Sequence, residues 1–161
     1  MKISFINAVA NVCEGVGADT RQVCEGIGAD SRMGPKFLVP GIGYGGSCFP
    51  KDVLAFRSVA KSLGDDFDLL SAVMAVNEKQ RKRFVEKVRD ALWTPRGKRL
   101  AVLGLAFKGG TDDVRDSPAV DIVKRLAEED ASIVAYDPAA MGRAATELVG
   151  FSKCNLCGRR V

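Results

Sequence analysis

The residues best suited to chemistry lie between Gly41 and Asp52, in the run G-I-G-Y-G-G-S-C-F-P-K-D. Four of its first six residues are glycine, a density that core packing does not reward, because glycine has no side chain and loses the most backbone freedom on folding. Such a run implies main chain that bends sharply or lies against a ligand. Cys48, Lys51 and Asp52 follow at once. A thiolate is a strong nucleophile, a nearby ammonium favours its charged form, and a carboxylate can orient water or take up a proton. A cysteine on its own is more often a small buried hydrophobe. Here the bare main chain, the cation and the carboxylate favour a reaction centre.

The composition narrows the alternatives. The chain has 161 residues, 47% of them apolar, enough to bury a core. Its 24 basic and 20 acidic residues are interspersed and leave a formal net charge of +4, without the concentrated basic stripe of a nucleic-acid surface. No histidine occurs, which removes the commonest general base and metal ligand. No signal peptide precedes Lys2 and no apolar run reaches membrane-spanning length, so neither a nucleic-acid nor a membrane partner is expected. Five cysteines without a secretory signal point to reduced thiols in a cytoplasm.

The elements that must position these residues begin with a helix from Ile3 to Val16, where Ile3, Ile6, Val9, Ala10 and Cys13 recur at helical spacing and Gly17 provides the stop. Asp19 and Gln22 suit a capping box for a second helix through Ile27, with Gly28 as its end. The near-duplication V-C-E-G-V-G-A-D-T-R from Val12 and V-C-E-G-I-G-A-D-S-R from Val23 falls short of a repeat architecture. Asp30 to Pro40 reads as a loop carrying Arg32 and Lys36.

A third helix is expected from Val53, with Phe56, Val59, Ala60 and Leu63 on one face, ending at Gly64. A longer one runs from about Phe67 to Leu92 along Leu70, Val73, Asn77, Phe84, Val88 and Leu92, a stripe read as exposed and able to join two copies in a homodimer. Within it, Asn77, Gln80 and Arg81 break the apolar pattern and are expected to face solvent. After Pro95 the composition changes: a strand at Arg99 to Gly104, an amphipathic helix at Ala119 to Ala127 and a second strand at Ser132 to Tyr136 make a parallel βαβ unit.

The turn of that unit, G-L-A-F-K-G-G-T-D-D-V-R-D-S-P, is not the G-x-G-x-x-G fingerprint of a dinucleotide pyrophosphate site. Loops that follow strands in parallel sheets still lie at the ligand edge, so Phe107, Lys108 and Arg115 are candidates for nucleotide contact. Cys154 and Cys157 form a single C-x-x-C, short of the four ligands a zinc site needs, and no metal site is assigned. The segment from Ala139 on reads as a tail, disordered or without a role.

The run from Gly41 to Asp52 resembles the active-site loop of the UDP-glucose 6-dehydrogenases, in the UDP-glucose/GDP-mannose dehydrogenase family, and the similarity extends from Lys2 to about Pro138. The resemblance implies an α/β protein: an all-helical central dimerisation region over 1–94, followed by an incomplete Rossmann-like parallel βαβ domain over 95–161 that binds the UDP-sugar. The arginine of D-x-R-x-G, here Arg32, is implied to contact the sugar nucleotide, in some members from the neighbouring subunit. Phe37 and Leu38 are implied to lie along the sugar, with Tyr44 and Gly45 as further substrate contacts. Val39 departs from the polar or basic residue of several relatives.

By the same resemblance Phe107 and Lys108 hold the uridine end, Arg115 approaches the cofactor NAD, and the N-x-x-Q-R pattern of Asn77 to Arg81 lies near the active-site region. UDP-glucose is oxidised at C6 to an aldehyde, Cys48 adds to give a thiohemiacetal, a second oxidation leaves a thioester, and water releases UDP-glucuronate. Lys51 favours the thiolate or an anionic oxygen, and Asp52 assists proton transfer. Ser47, where relatives acting on N-acetylated sugars carry histidine, favours UDP-glucose, with GDP-mannose the nearer rival. Two strands make no stable sheet, so the chain is expected to be a portion of such an enzyme without its NAD-binding domain, inactive alone. A non-catalytic, dimerising UDP-sugar-binding fragment is the alternative.

Overall fold

The computed structural model describes residues 1–157. Six helices and three strands occur in the order α1 (Lys2–Val16), α2 (Thr20–Ala29), α3 (Phe49–Ser62), α4 (Asp68–Leu92), β1 (Arg99–Leu103), α5 (Pro118–Glu128), β2 (Ser132–Tyr136), α6 (Met141–Glu147) and β3 (Cys154–Leu156). They form two compact units, one of Met1–Tyr44 with Ala55–Gln80, the other of Gly45–Leu54 with the chain from Arg81 on. The fold is α/β, helical first and then built on a parallel sheet. Among the described residues no helix is long and apolar enough to cross a membrane.

In the first unit α1 buries Ser4, Ile6, Asn7 and Cys13, and the Ser4 hydroxyl donates to the Val73 carbonyl at 3.1 Å. Gly17 closes α1 in the left-handed conformation, as its position predicts. Asp19 caps α2 by accepting from the Arg21 and Gln22 amides. Gly28 does not end α2, which continues through Ala29. A β-carbon there would stand 3.1 Å from Pro35 Cα, so the glycine serves a close approach of two chain segments.

Helix α3 begins four residues before the expected Val53, at Phe49, because Pro50 is compatible with a first helical turn and Cys48 already accepts the first helical hydrogen bond from the Asp52 amide at 2.8 Å. Its expected apolar face is open: Ala60 is buried, whereas Phe56, Val59 and Leu63 are exposed. Phe56 instead meets Phe67 edge-on at 5.1 Å between ring centroids.

Along α4 the buried positions are Leu70, Val73, Asn77, Arg81 and Val85, spaced by three or four residues. Two expectations fail here. Asn77 and Arg81 are 7% and 8% exposed, so they do not face solvent. The stripe read as exposed is open only in part: Phe84 is exposed as expected, whereas Leu70 and Val73 are covered within the chain and unavailable to a second copy.

In the second unit β1 pairs with β2, and β2 with β3, all parallel, in the order β1-β2-β3. Helix α5 presents Val120, Val123 and Leu126 to the core with Ile133 and Ala135 of β2. The segment after Ala139 is ordered through Cys157, contrary to expectation: Ala140, Ala144 and Leu148 are buried, and Cys154 opens the third strand, in register with Ile133. There Cys154 and Leu156, half-buried on either side of the exposed Asn155, extend the sheet by one strand. Residues 158–161 of the predicted second domain lie outside the described residues.

Candidate functional site

The glycine-rich segment is secured by different means in its two halves. In the first unit, Asn7 of α1 accepts the Gly41 amide on Oδ1 at 2.8 Å. Asn77 of α4 takes both sides of the Tyr44 peptide group: Oδ1 accepts the Tyr44 amide at 2.8 Å and Nδ2 donates to the Tyr44 carbonyl at 3.0 Å. Gln80, one helical turn on, donates to the Gly41 carbonyl at 2.9 Å and accepts from Asn11 at 3.0 Å. Irregular backbone needs partners for its amides and carbonyls, and the amide side chains of two helices supply them.

In the second unit the segment rests on the long β1–α5 connection. The Gly46 amide donates to the Arg115 carbonyl at 2.8 Å. Gly46 has φ +89, and a β-carbon on it would stand 2.8 Å from the Phe107 ring. At Gly45 a β-carbon would lie 2.1 Å from the Asp116 carbonyl oxygen. Glycine is required at Gly45 by contact and at Gly46 by both contact and backbone conformation.

That seating delivers Cys48 to the N-terminus of α3, where the partial positive charge of the helix favours an anion. Cys48 is exposed, with the Ser47 hydroxyl 3.7 Å from its sulfur. Arg115 lies close enough for the thiolate to add to the upward shift of its guanidinium, a shift due first to the hydrogen bond with Asp113 and then to that residue's charge. The same pairing, at 2.7 Å, brings Asp113 down to about 2. Lys51 and Asp52, in the first turn of α3, are both exposed and 3.8 Å apart.

The β1–α5 connection is itself held at its two ends. Asp137, at the end of β2 and 5% exposed, accepts the amides of Leu105 and Ala106 on one oxygen and of Ala139 and Ala140 on the other, at 2.7 to 3.0 Å. Burial alone would raise its pKa, yet these four donors bring it to about 2. Ser117 caps α5 and donates to the buried Leu105 carbonyl at 2.7 Å. Phe107 and Lys108 then stand beyond the carboxyl end of β1, the Lys108 ammonium 5.3 Å from the Phe107 ring centre.

Of the residues singled out in the sequence, the second unit gathers Gly45, Cys48, Phe107 and Arg115 around one turn. Lys108 adjoins Phe107 in that turn. Tyr44, Arg32, Phe37 and Leu38 belong to the first unit. Arg32 is exposed and held by Asp30 of its own turn, with contacts of 2.6 and 3.0 Å. Phe37 takes φ 65 and is exposed, while Leu38 is buried beside Val39 in a groove of about 590 Å³ that Cys24 and Pro35 also line.

Sequence reasoning passed over Asn7, Asp116 and Asp137, and gave Asn77 and Arg81 the wrong surroundings. A polar residue falling on an otherwise apolar helical row was the available signal. Cys154 and Cys157 do not approach a ligand set: among the described residues no three His, Cys, Asp or Glu side chains are grouped to hold a metal. Nor does the second unit fit a dinucleotide. A pyrophosphate cradle needs open main chain at the first strand-to-helix turn, and here Ser117 and Pro118 occupy the start of α5, with the Ser117 oxygen bonded to Leu105.

The structure thus comprises a parallel α/β unit that carries the loop from Gly45 to Cys48 and a helical unit that holds the residues from Gly41 to Tyr44. Its two parts match two models of one family: the central domain of the UDP-glucose/GDP-mannose dehydrogenase family over residues 1–79, and the UDP binding domain of that family over residues 101–157. The chain belongs to the UDP-glucose/GDP-mannose dehydrogenase family.

It is 52% identical over 147 residues to UDP-glucose 6-dehydrogenase TuaD of Bacillus subtilis, which covers 91% of this chain and 32% of that protein. It is 47% identical over 139 residues to UDP-glucose 6-dehydrogenase AglM of Haloferax volcanii, covering 86% and 32%. A solved UDP-glucose dehydrogenase from Pyrobaculum islandicum superimposes with a TM-score of 0.93 at 40% identity, over 98% of this chain and 36% of that one. The chain thus spans about a third of the length of the curated relatives it matches.

Proposed function

We propose that this chain carries the nucleophile and the sugar-nucleotide contacts of an NAD-dependent UDP-glucose 6-dehydrogenase that forms UDP-glucuronate. The observation that supports this most strongly is Cys48, exposed at the start of α3 within the stretch that matches the family's central domain, two residues after a glycine that rests on Phe107 and Arg115 of the stretch that matches its UDP binding domain. In this reading the Cys48 thiolate attacks the C6 aldehyde carbon, forming the C–S bond of a thiohemiacetal as the carbonyl oxygen takes a proton. NAD supplies the hydride acceptor of the two oxidations. Since the second unit does not fit a dinucleotide, the steps derived for this chain are those of the thiol.

At the thioester stage water attacks the acyl carbon, the C–S bond breaks and the thiolate leaves, regenerated for another cycle. Asp52 takes the proton from that water, and Lys51 offsets developing negative charge on oxygen. Phe107 and Lys108 hold the uridine diphosphate, and Arg115 faces the cofactor. Arg32, Phe37, Leu38, Tyr44 and Gly45 are substrate contacts on the family pattern. Residues 1–94 act as the central region through which two copies form a dimer, and the chain from Pro95 on as the UDP-sugar domain, in a reducing cytoplasm suited to five free cysteines.

A second reading is favoured by the α5 N-terminus that Ser117 and Pro118 occupy: the isolated chain binds a UDP-sugar without turning it over. Calorimetric titration tests both. UDP-glucose is expected to bind and GDP-mannose to bind more weakly, and adding NAD with UDP-glucose is expected to give no absorbance of reduced cofactor. Failure of UDP-glucose to bind contradicts both readings. Formation of reduced cofactor by this chain alone contradicts the claim that it does not hold a dinucleotide.

A further inference from the structure

The Cys48 loop rests against two main-chain carbonyls, those of Arg115 and Asp116, and the structure shows what holds the second in place. Asp116 takes φ 49, a left-handed conformation uncommon outside glycine, which aspartate tolerates better than most residues. This turns its carbonyl oxygen to the spot where a Gly45 β-carbon would otherwise be, 2.1 Å away. The neighbouring Arg115 carbonyl accepts the Gly46 amide.

Arg81 of α4, 8% exposed, reaches the same residue. Its Nη2 donates to the Asp116 carbonyl at 3.4 Å, and its Nη1 and Nη2 donate to Asp116 Oδ1 at 3.3 and 3.4 Å. The planar fork also approaches Asp121 at 3.9 Å, which in turn pairs with Arg125 at 2.9 Å. One cation therefore grips both the side chain and the main chain of a strained residue, the arrangement by which a protein maintains an unfavourable backbone conformation.

We propose that Arg81 is a positioning residue for Cys48: by fixing Asp116 it sets the seat on which Gly45 and Gly46 rest, and so the placement of the thiol beside Arg115 and the start of α3. This deepens the reading of Cys48 as nucleophile. The thiol is already exposed, so loosening the seat adds little access. It displaces the sulfur from the Ser47 hydroxyl, the Arg115 guanidinium and the first turn of α3, the groups that surround an incoming electrophile, and the thiol reacts more slowly.

The test is the rate of alkylation of the full chain by iodoacetamide at neutral pH, resolved by peptide mass spectrometry, with the exposed Cys157 as reference thiol in the same molecule. Arg81→Gln is expected to slow Cys48 relative to Cys157 by about threefold or more, the loss of one or two modest charge interactions. Arg81→Lys, which keeps the charge, is expected to restore part of the rate. Gly45→Ala, whose β-carbon conflicts with the Asp116 carbonyl, is expected to act like Arg81→Gln, and the double variant to be no slower than either single one, as for two changes to one seat.

An unchanged or faster Cys48 in folded Arg81→Gln overturns the proposal. If Arg81→Gln does not fold, Gly45→Ala decides alone, and an unchanged ratio there overturns it. Because the assay contains neither sugar nucleotide nor cofactor, a failure here leaves the UDP-glucose reading standing. A failure of UDP-glucose to bind leaves the alkylation result standing.

Discussion

The two halves of the glycine-rich loop are stabilised by opposite strategies. From Gly41 to Tyr44 the backbone is held at a distance by side-chain amides, with Asn7, Asn77 and Gln80 together taking two amides and two carbonyls. From Gly45 to Cys48 it is held by contact, main chain against main chain at Arg115 and Asp116 and against the ring of Phe107. The amide-held half depends on particular side chains, and the contact-held half on the absence of side chains. A nucleophile needs the second arrangement, since bare backbone leaves room for a ligand at the sulfur while fixing where the sulfur stands.

The contrast predicts where each half fails. The largest effect is expected from Asp137→Ala, which leaves four backbone donors, two of them buried, without their acceptor and loosens the turn that carries Phe107. We expect a loss of about 3–5 kcal/mol in urea unfolding of the second unit, at the upper end for one residue. Asn77→Ala removes both bonds to Tyr44 and is expected to cost about 2–3 kcal/mol in the first unit. If this change slows Cys48 alkylation as much as Gly45→Ala does, the two halves are not separately held and the comparison breaks.

Acid separates them as well. Asp137 titrates near 2 in the folded chain against 3.8 in the unfolded one, so its contribution is complete above about pH 4 and is lost as pH falls toward 2. About 2 kcal/mol is expected to disappear across that window. The amide bonds of the first half have no group that titrates there, and spectroscopic probes in the two units should diverge accordingly. The smallest change is expected from Asn7→Ala, which removes the single bond to Gly41 and should cost about 1 kcal/mol.

Much of this was legible in the residues. The glycines, Cys48 and the shift from helical to strand periodicity at Pro95 stand out because backbone conformation and hydrophobic spacing leave local marks. Asn77 and Arg81 were misjudged because their place on an apolar row signals burial but not the partner that makes it tolerable; those partners, Tyr44 and Asp116, lie some 30 residues away in the chain. Leu70 and Val73 were read as part of an exposed stripe because apolar spacing alone does not say whether a helical row is covered within the chain. Strand β3 was hidden by a short, cysteine-bearing sequence whose strand character comes from pairing with β2.

The central claim is that Cys48 stands where a uridine diphosphate sugar binds, and site-resolved alkylation in the presence of ligand tests it directly. With UDP-glucose at saturation, iodoacetamide modification of Cys48 is expected to slow about tenfold or more while Cys157 reacts as before, a protection that follows occupancy of the site. Equal rates at Cys48 with and without UDP-glucose, at a concentration where calorimetry shows it bound, would contradict the account.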